Sequence, residues 1–81
     1  MEVVFSNEFK REFKKIKNYG IYVKIVKALN ELREQPYFGK PLKYNLKECR
    51  SIRVRPFRII YRIEEDSIVV ICFDYRKYVY D

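Results

Sequence analysis

The sequence predicts an α+β fold in the order β-α-α-β-β-β, with a helical hairpin packed on one face of a small antiparallel sheet. Three observations predict it. Apolar residues recur at helical spacing between Phe9 and Leu32. After Cys49 the pattern changes to two-residue alternation. The breaks between the last three strand-like runs are also short, and only antiparallel strands can be joined by so few residues.

The elements follow in order. "EVVFS" (Glu2 to Ser6) reads as a short strand, with Ser6 as N-cap because its hydroxyl can accept from a free first-turn amide. Phe9, Phe13 and Ile16 form the apolar stripe of a first helix, and Lys10, Arg11, Lys14, Lys15 and Lys17 form its solvated face. Asn18 and Gly20 supply the stop. Ile21, Ile25, Leu29 and Leu32, with Ala28 beside them, make the stripe of a second helix that ends at Pro36. So short a link between two amphipathic helices predicts an antiparallel hairpin. From Gln35 to Cys49, Pro36, Gly39 and Pro41 punctuate a loop carrying Lys40, Lys43 and Lys47. "SIRVR" (Ser51 to Arg55), a turn at "PF", "RIIYRI" (Arg58 to Ile63), a turn at "EEDS" and "IVVICFDY" (Ile68 to Tyr75) then predict a three-strand meander. The last run is apolar on both parities and reads as a central strand covered on both sides.

At 81 residues the chain is expected to form one domain, residues 1–81. Folding at this size buries only about 60% of the unfolded chain's surface, so any site is a shallow surface patch. The net charge is +7, and it is concentrated. From Lys40 to Arg62 there are eight basic residues against one acid, Glu48, so this segment carries the whole excess. Such a field attracts polyanions and speeds their encounter. The absence of His and of clustered Cys argues against a transition-metal site. Two cysteines do not make a secreted framework, and Cys72, within an apolar run, reads as a small buried hydrophobe. No apolar run approaches the roughly 18 residues of a membrane span, and no leader pattern opens the chain. A cytoplasmic location is expected, with no membrane association.

Alternation on a one-sided sheet sends Ile52 and Val54 beneath the helices and Arg53 and Arg55 to the open face. Arg58 and Arg62 point the same way if the turn keeps register. Tyr61 falls on the core-facing parity. The arginines would form a grid on a rigid surface, which costs self-repulsion unless an anion shares it.

The stretch "GKPLKYNLKECRSIRVRPFRIIYRI" (Gly39 to Ile63), followed by "DYRKYVY" (Asp74 to Tyr80), resembles the RelE/ParE toxin superfamily of bacteria and archaea. Its pattern runs Gly-Lys-Pro-Leu-Lys, a variable loop, Arg-Ile-Arg-Val-Gly-x-Tyr-Arg-Val-Ile-Tyr, then Gly-His-Arg-x-x-Val-Tyr. The Gly-His pair is Asp74-Tyr75 here, and Arg55-Pro56 replaces the glycine after the second strand. The resemblance implies the toxin of a toxin–antitoxin pair. In the RelE branch the toxin enters the ribosomal A site and cuts mRNA, by attack of a 2′-hydroxyl on the adjacent phosphate, without a metal or other cofactor. A RelB-like antitoxin blocks it. In the ParE branch the same fold inhibits DNA gyrase.

The resemblance assigns Lys43, Arg53, Arg58, Arg76 and Tyr80 to a catalytic set, closer to RelE than to ParE. Lys40, Lys47, Arg50, Arg55, Arg62 and Tyr75 are expected to contact RNA, and Tyr75 is suited to stack on a base. Arg55 and Arg62 equally suit contacts to rRNA or to an acidic antitoxin.

The chemistry needs a base for the 2′-proton, positive charge on the phosphorane and an acid for the leaving 5′-oxygen. Arginine is too weak a base. Crowding by arginines lowers the pKa of a nearby lysine or tyrosine. Tyr80 is therefore the first choice of proton carrier, with Lys43 second and Lys47 also a candidate. Arg58 and Arg76 would clamp the phosphate two oxygens at a time. The partners expected are a RelB-like antitoxin, the ribosome and mRNA, with the toxin alone a monomer. The alternatives are a non-enzymatic inhibitor of gyrase, and a basic nucleic-acid-binding module without catalysis.

Overall fold

Ser6 ends the first strand and starts the first helix. Its hydroxyl accepts from the Phe9 amide at 3.0 Å, as expected of an N-cap, and donates to the Ile71 carbonyl. This one side chain ties β1 (Glu2–Phe5) and α1 (Asn7–Lys14) to β5 (Ser67–Asp74). The computed structural model describes residues 1–74. Between these elements lie α2 (Tyr19–Glu34), a two-residue β2 (Lys40–Pro41), a 3-10 turn at Tyr44–Leu46, β3 (Arg50–Val54) and β4 (Phe57–Glu64).

The strands form one sheet in the order β1-β5-β4-β3-β2. The three-strand meander is antiparallel throughout, as the short turns predict. Two features depart from the expectation. β1 pairs with β5 in parallel: β3 and β5 of the meander run in the direction of β1, and β2 runs against them. The loop after α2 also contributes β2, where Lys40 and Pro41 pair with Ser51 and Arg50. The α+β class stands, with a mixed sheet.

Both helices lie on one face. Phe9, Ile25, Leu29 and Leu32 pack on Ile52, Val54, Phe57, Ile59, Tyr61, Ile68, Val70 and Phe73. Phe9 stacks on Phe73 at 4.6 Å between ring centroids, and Phe57 meets Phe73 edge-on at 4.7 Å. The apolarity of β5 on both parities has a specific cause. Tyr61 pairs with Val70 but Ile60 pairs with Cys72, so Ile71 is an extra residue without a partner on β4. This bulge switches the phase of β5, and Ile68, Val70 and Phe73 all reach the core despite their mixed parity. Val69 and Cys72, on the other face, are only half-buried.

Asn18 is not a stop. Its side-chain oxygen accepts from the Ile21 amide at 3.0 Å, so it caps the start of α2, and Gly20 lies within that helix. The β3–β4 turn is Arg55-Pro56, joined by a cis peptide bond, and Phe57 is the buried first residue of β4. The β4–β5 hairpin turns at Glu65-Asp66, with Glu65 in the left-handed region at φ 52°. Among the described residues, no helix is long and apolar enough to cross a membrane.

Candidate functional site

Register places the site. On the sheet face away from the helices, Arg53 of β3 lies directly opposite Arg58 of β4, and Arg58 lies opposite Asp74 of β5. One row along, Lys40, Ser51, Ile60 and Cys72 align across four strands. Side chains opposite one another on a sheet sit about 4.5–5.5 Å apart at Cβ. Arg53 is exposed and Arg58 half-buried, and an Arg58 Nη1 reaches the buried Ser51 hydroxyl at 3.5 Å, the long limit of a hydrogen bond. Two guanidinium groups held side by side on paired strands cost self-repulsion that solvent-directed arginines on a loop would avoid. Asp74, on the far side of Arg58, offsets part of it.

The other predicted residues divide into five groups. Lys40, Lys43 and Lys47 are exposed on the loop from α2 to β3, with Lys40 in the row beside Arg53 and Arg58. Arg55 lies in the β3–β4 turn rather than on the strand, because the turn falls one residue earlier than expected. Arg62 has the open-face parity but pairs with Glu64 through both Nε and Nη2, so its charge is offset locally. Arg50 lies on the other face of the sheet. It pairs with Tyr61, shares its parity with Ile52 and Val54, and donates from Nη1 to the carbonyls of Gly39 at 2.8 Å and Tyr37 at 3.2 Å. The structure thus gives Arg50 a role in fixing the loop. Arg76, Tyr75 and Tyr80 lie outside the described residues.

Three residues that sequence reasoning did not single out border this region. Ser51 is the buried partner of Arg58. Lys24 and Lys27 of α2 line a shallow groove together with Arg53, Val54 and Arg55, and Glu31 is the acid in that lining. The available signal was the position of Lys24 and Lys27 beside the apolar stripe of α2, at the helix edge that flanks the sheet.

Cys72 departs from the expectation of a buried hydrophobe. Cys49 is buried and Cys72 is half-buried on the open face. The Cys72 thiol is pushed up to about 11, first by burial and then by the charges of Glu8, Glu12, Asp74 and Cys49. It is therefore a protonated thiol at neutral pH and a poor nucleophile. Tyr61 is also pushed up by burial, against the smaller downward pulls of the Gly39 amide and of Arg50. Among the described residues, no three His, Cys, Asp or Glu side chains cluster as a metal site would need.

A helical hairpin on one face of a five-stranded sheet is a fold this chain shares with several solved bacterial toxins. A YoeB/ParE toxin from Agrobacterium tumefaciens superposes with a TM-score of 0.81 at 19% identity, covering 91% of this chain and 96% of that one. The toxin–antitoxin complex RelBE2 from Mycobacterium tuberculosis contains a chain 28% identical, with a TM-score of 0.77 and coverage of 90% and 94%. A YoeB–YefM complex from Staphylococcus aureus gives 0.81 at 20% identity, with coverage of 93% and 95%. Among curated proteins, none matches this sequence. The chain belongs to the ParE toxin family of type II toxin–antitoxin systems (parDE), whose sequence model matches residues 3–80, and so to the RelE/ParE superfamily.

Proposed function

We propose that this type II toxin is a ribosome-dependent endoribonuclease that cleaves mRNA through the RNA's own 2′-hydroxyl. The observation that carries the reading is the register of Arg53 against Arg58 on a rigid open face. A phosphodiester bridging the two guanidiniums would turn their repulsion into paired charge-assisted hydrogen bonds. In the proposed step a base takes the 2′-proton and the 2′-oxygen attacks phosphorus. The bond to the 5′-oxygen breaks, and that oxygen leaves protonated, giving a cyclic phosphate and a free 5′-hydroxyl. Arg58 and Arg76 hold the phosphate, Arg53 assists, and Tyr80 carries the proton, with Lys43 second. In the absence of histidine, most of the rate enhancement comes from charge stabilisation and from the ribosome holding the mRNA in line. Activity on free RNA is accordingly weak. A RelB-like or YefM-like acidic antitoxin is the expected partner, because the two complexes above are toxin–antitoxin pairs and the basic face complements such a chain.

The test is a translating extract in which mRNA ends are mapped. Cuts within coding sequence are expected from the natural chain. Arg58→Ala should lower their rate about 10²–10³-fold, the loss typical of removing one transition-state charge donor. An uncut message with a folded protein would remove the nuclease reading. A second reading, inhibition of DNA gyrase without chemistry, is favoured by the match to the ParE family model. A supercoiling assay separates the two.

A further inference from the structure

The loop from Pro36 to Lys47 exposes three large aromatic rings and yet is held rigidly. Tyr37 is 65% exposed, Phe38 64% and Tyr44 87%. The buried Tyr61 hydroxyl donates to the Pro36 carbonyl at 2.8 Å and accepts from the Gly39 amide at 2.9 Å. Gly39 is packed so closely that a Cβ there would lie 2.7 Å from the Tyr61 ring and 2.9 Å from the Ser51 carbonyl. Arg50 binds the carbonyls of Tyr37 and Gly39, and its guanidinium carbon lies 5.3 Å from the centroid of the Tyr37 ring. One face of Tyr37 is thereby backed by a cation, while the ring remains mostly exposed. Tyr44 sits at φ 61°, a left-handed backbone region unfavourable for a bulky residue, and its ring is 87% exposed. The exposed Tyr19 and Tyr22 differ, because Tyr22 stacks on Phe13 and Tyr19 stacks on Tyr22.

Fixing a loop and then exposing its aromatics is unfavourable for folding alone. The same loop carries Lys40, Lys43 and Lys47 and no acid. Open ring faces interleaved with cations match one ligand chemistry, a single-stranded polynucleotide whose bases stack while its phosphates meet ammonium groups. Lys40 also stands in the row beside Arg53 and Arg58, so a strand leaving the candidate site over the β2 edge meets this loop. We propose that residues 36–47 form a base-stacking platform for single-stranded RNA, with Tyr37, Phe38 and Tyr44 as the stacking rings and Arg50 as the residue that positions Tyr37. The inference rests on RNA being the ligand of the toxin, but it does not require cleavage.

The experiment compares binding of the full chain to a short mixed-sequence single-stranded RNA and to an abasic ribose-phosphate polymer of the same charge, by fluorescence anisotropy at several salt concentrations. Stacking predicts that the base-bearing polymer binds tighter by about five-fold or more. Tyr37→Ala, Phe38→Ala and Tyr44→Ala should each shrink that preference without changing the salt slope. Tyr37→Trp should keep it. Lys40→Ala and Lys47→Ala should instead weaken both polymers alike and flatten the slope. Equal affinity for the two polymers, or a preference untouched by the aromatic variants, overturns the proposal. So does a result in which these variants weaken only capture of an acidic antitoxin. A chain that does not cut mRNA but still prefers bases would sustain the platform and remove the nuclease. A nuclease with no base preference would do the reverse.

Discussion

Arg53, in the role proposed for it, would serve function against stability. It faces Arg58 across paired strands, an arrangement that costs a few tenths to about 1 kcal/mol relative to a neutral pair. Arg53→Thr keeps strand propensity and removes the repulsion. It should therefore raise the urea midpoint at low salt while lowering cleavage in the extract. A variant that loses stability would show that Asp74 and the arginine stems already outweigh the repulsion. Cys72 gives a pH prediction of definite sign. Its thiol holds a proton up to about 11 in the folded state, against an ordinary value of 9.0. The folded state thus binds this proton more tightly. The contribution to stability is present below pH 9 and is lost as pH rises through 11. Cys72→Ala should flatten the fall in stability between these pH values, measured by urea unfolding, and an unchanged slope would contradict the assignment.

Ser6 works at the scale of elements, because its hydroxyl caps α1 and also bonds the Ile71 carbonyl at the β5 bulge. Ser6→Ala should cost about 1–2 kcal/mol, the upper part of the range for a lost cap, since two bonds go at once. A loss under half of that in chemical unfolding would show that water replaces the Ile71 contact. The cap was legible in the sequence, as were both helices and the three-strand meander, because each rests on local periodicity or on a short turn. The bulge was not. Alternating patterns assume constant phase, so the shift between Val70 and Phe73 was read as a strand covered on two sides. β2 was also invisible, since two residues hold no period and pair only because the loop is pinned by Tyr61 and Arg50. Within the candidate site, the shared face of Arg53 and Arg58 followed from strand parity, but their direct opposition did not, because a turn at Pro56-Phe57 would set Arg55 opposite Arg58. The pairing of Arg62 with Glu64 could have been foreseen, because residues two apart share a face of a strand. Arg50 was misplaced for a related reason: a strand taken to begin at Ser51 left it outside the parity it shares with Ile52 and Val54.

At the scale of the whole molecule, the excess of +7 resides between Lys40 and Arg62, and folding gathers that segment into β2, β3, β4 and the loop beside them. The unfolded chain has the same charge but spreads it along an extended coil. The folded toxin should therefore bind a polyanion more tightly than the unfolded chain does, and ligand linkage converts this difference into stability. At a concentration 100-fold above Kd the gain is about 2.7 kcal/mol if the unfolded chain does not bind. For a domain of this size, each kcal/mol raises Tm by roughly 4–8 °C. A short RNA should accordingly raise Tm by about 10–20 °C at low ionic strength. Sodium chloride at the same ionic strength should raise it far less, because it only screens the repulsion over a Debye length of about 10 Å at 0.1 M. Adding salt to the RNA complex should then erase the gain, since binding through phosphates falls linearly in log[salt]. A Tm that does not move with RNA, or that falls, would mean that the unfolded chain competes equally for the polymer. In that case the fold does not focus the charge, and the row of Arg53 and Arg58 has no special claim on a phosphodiester.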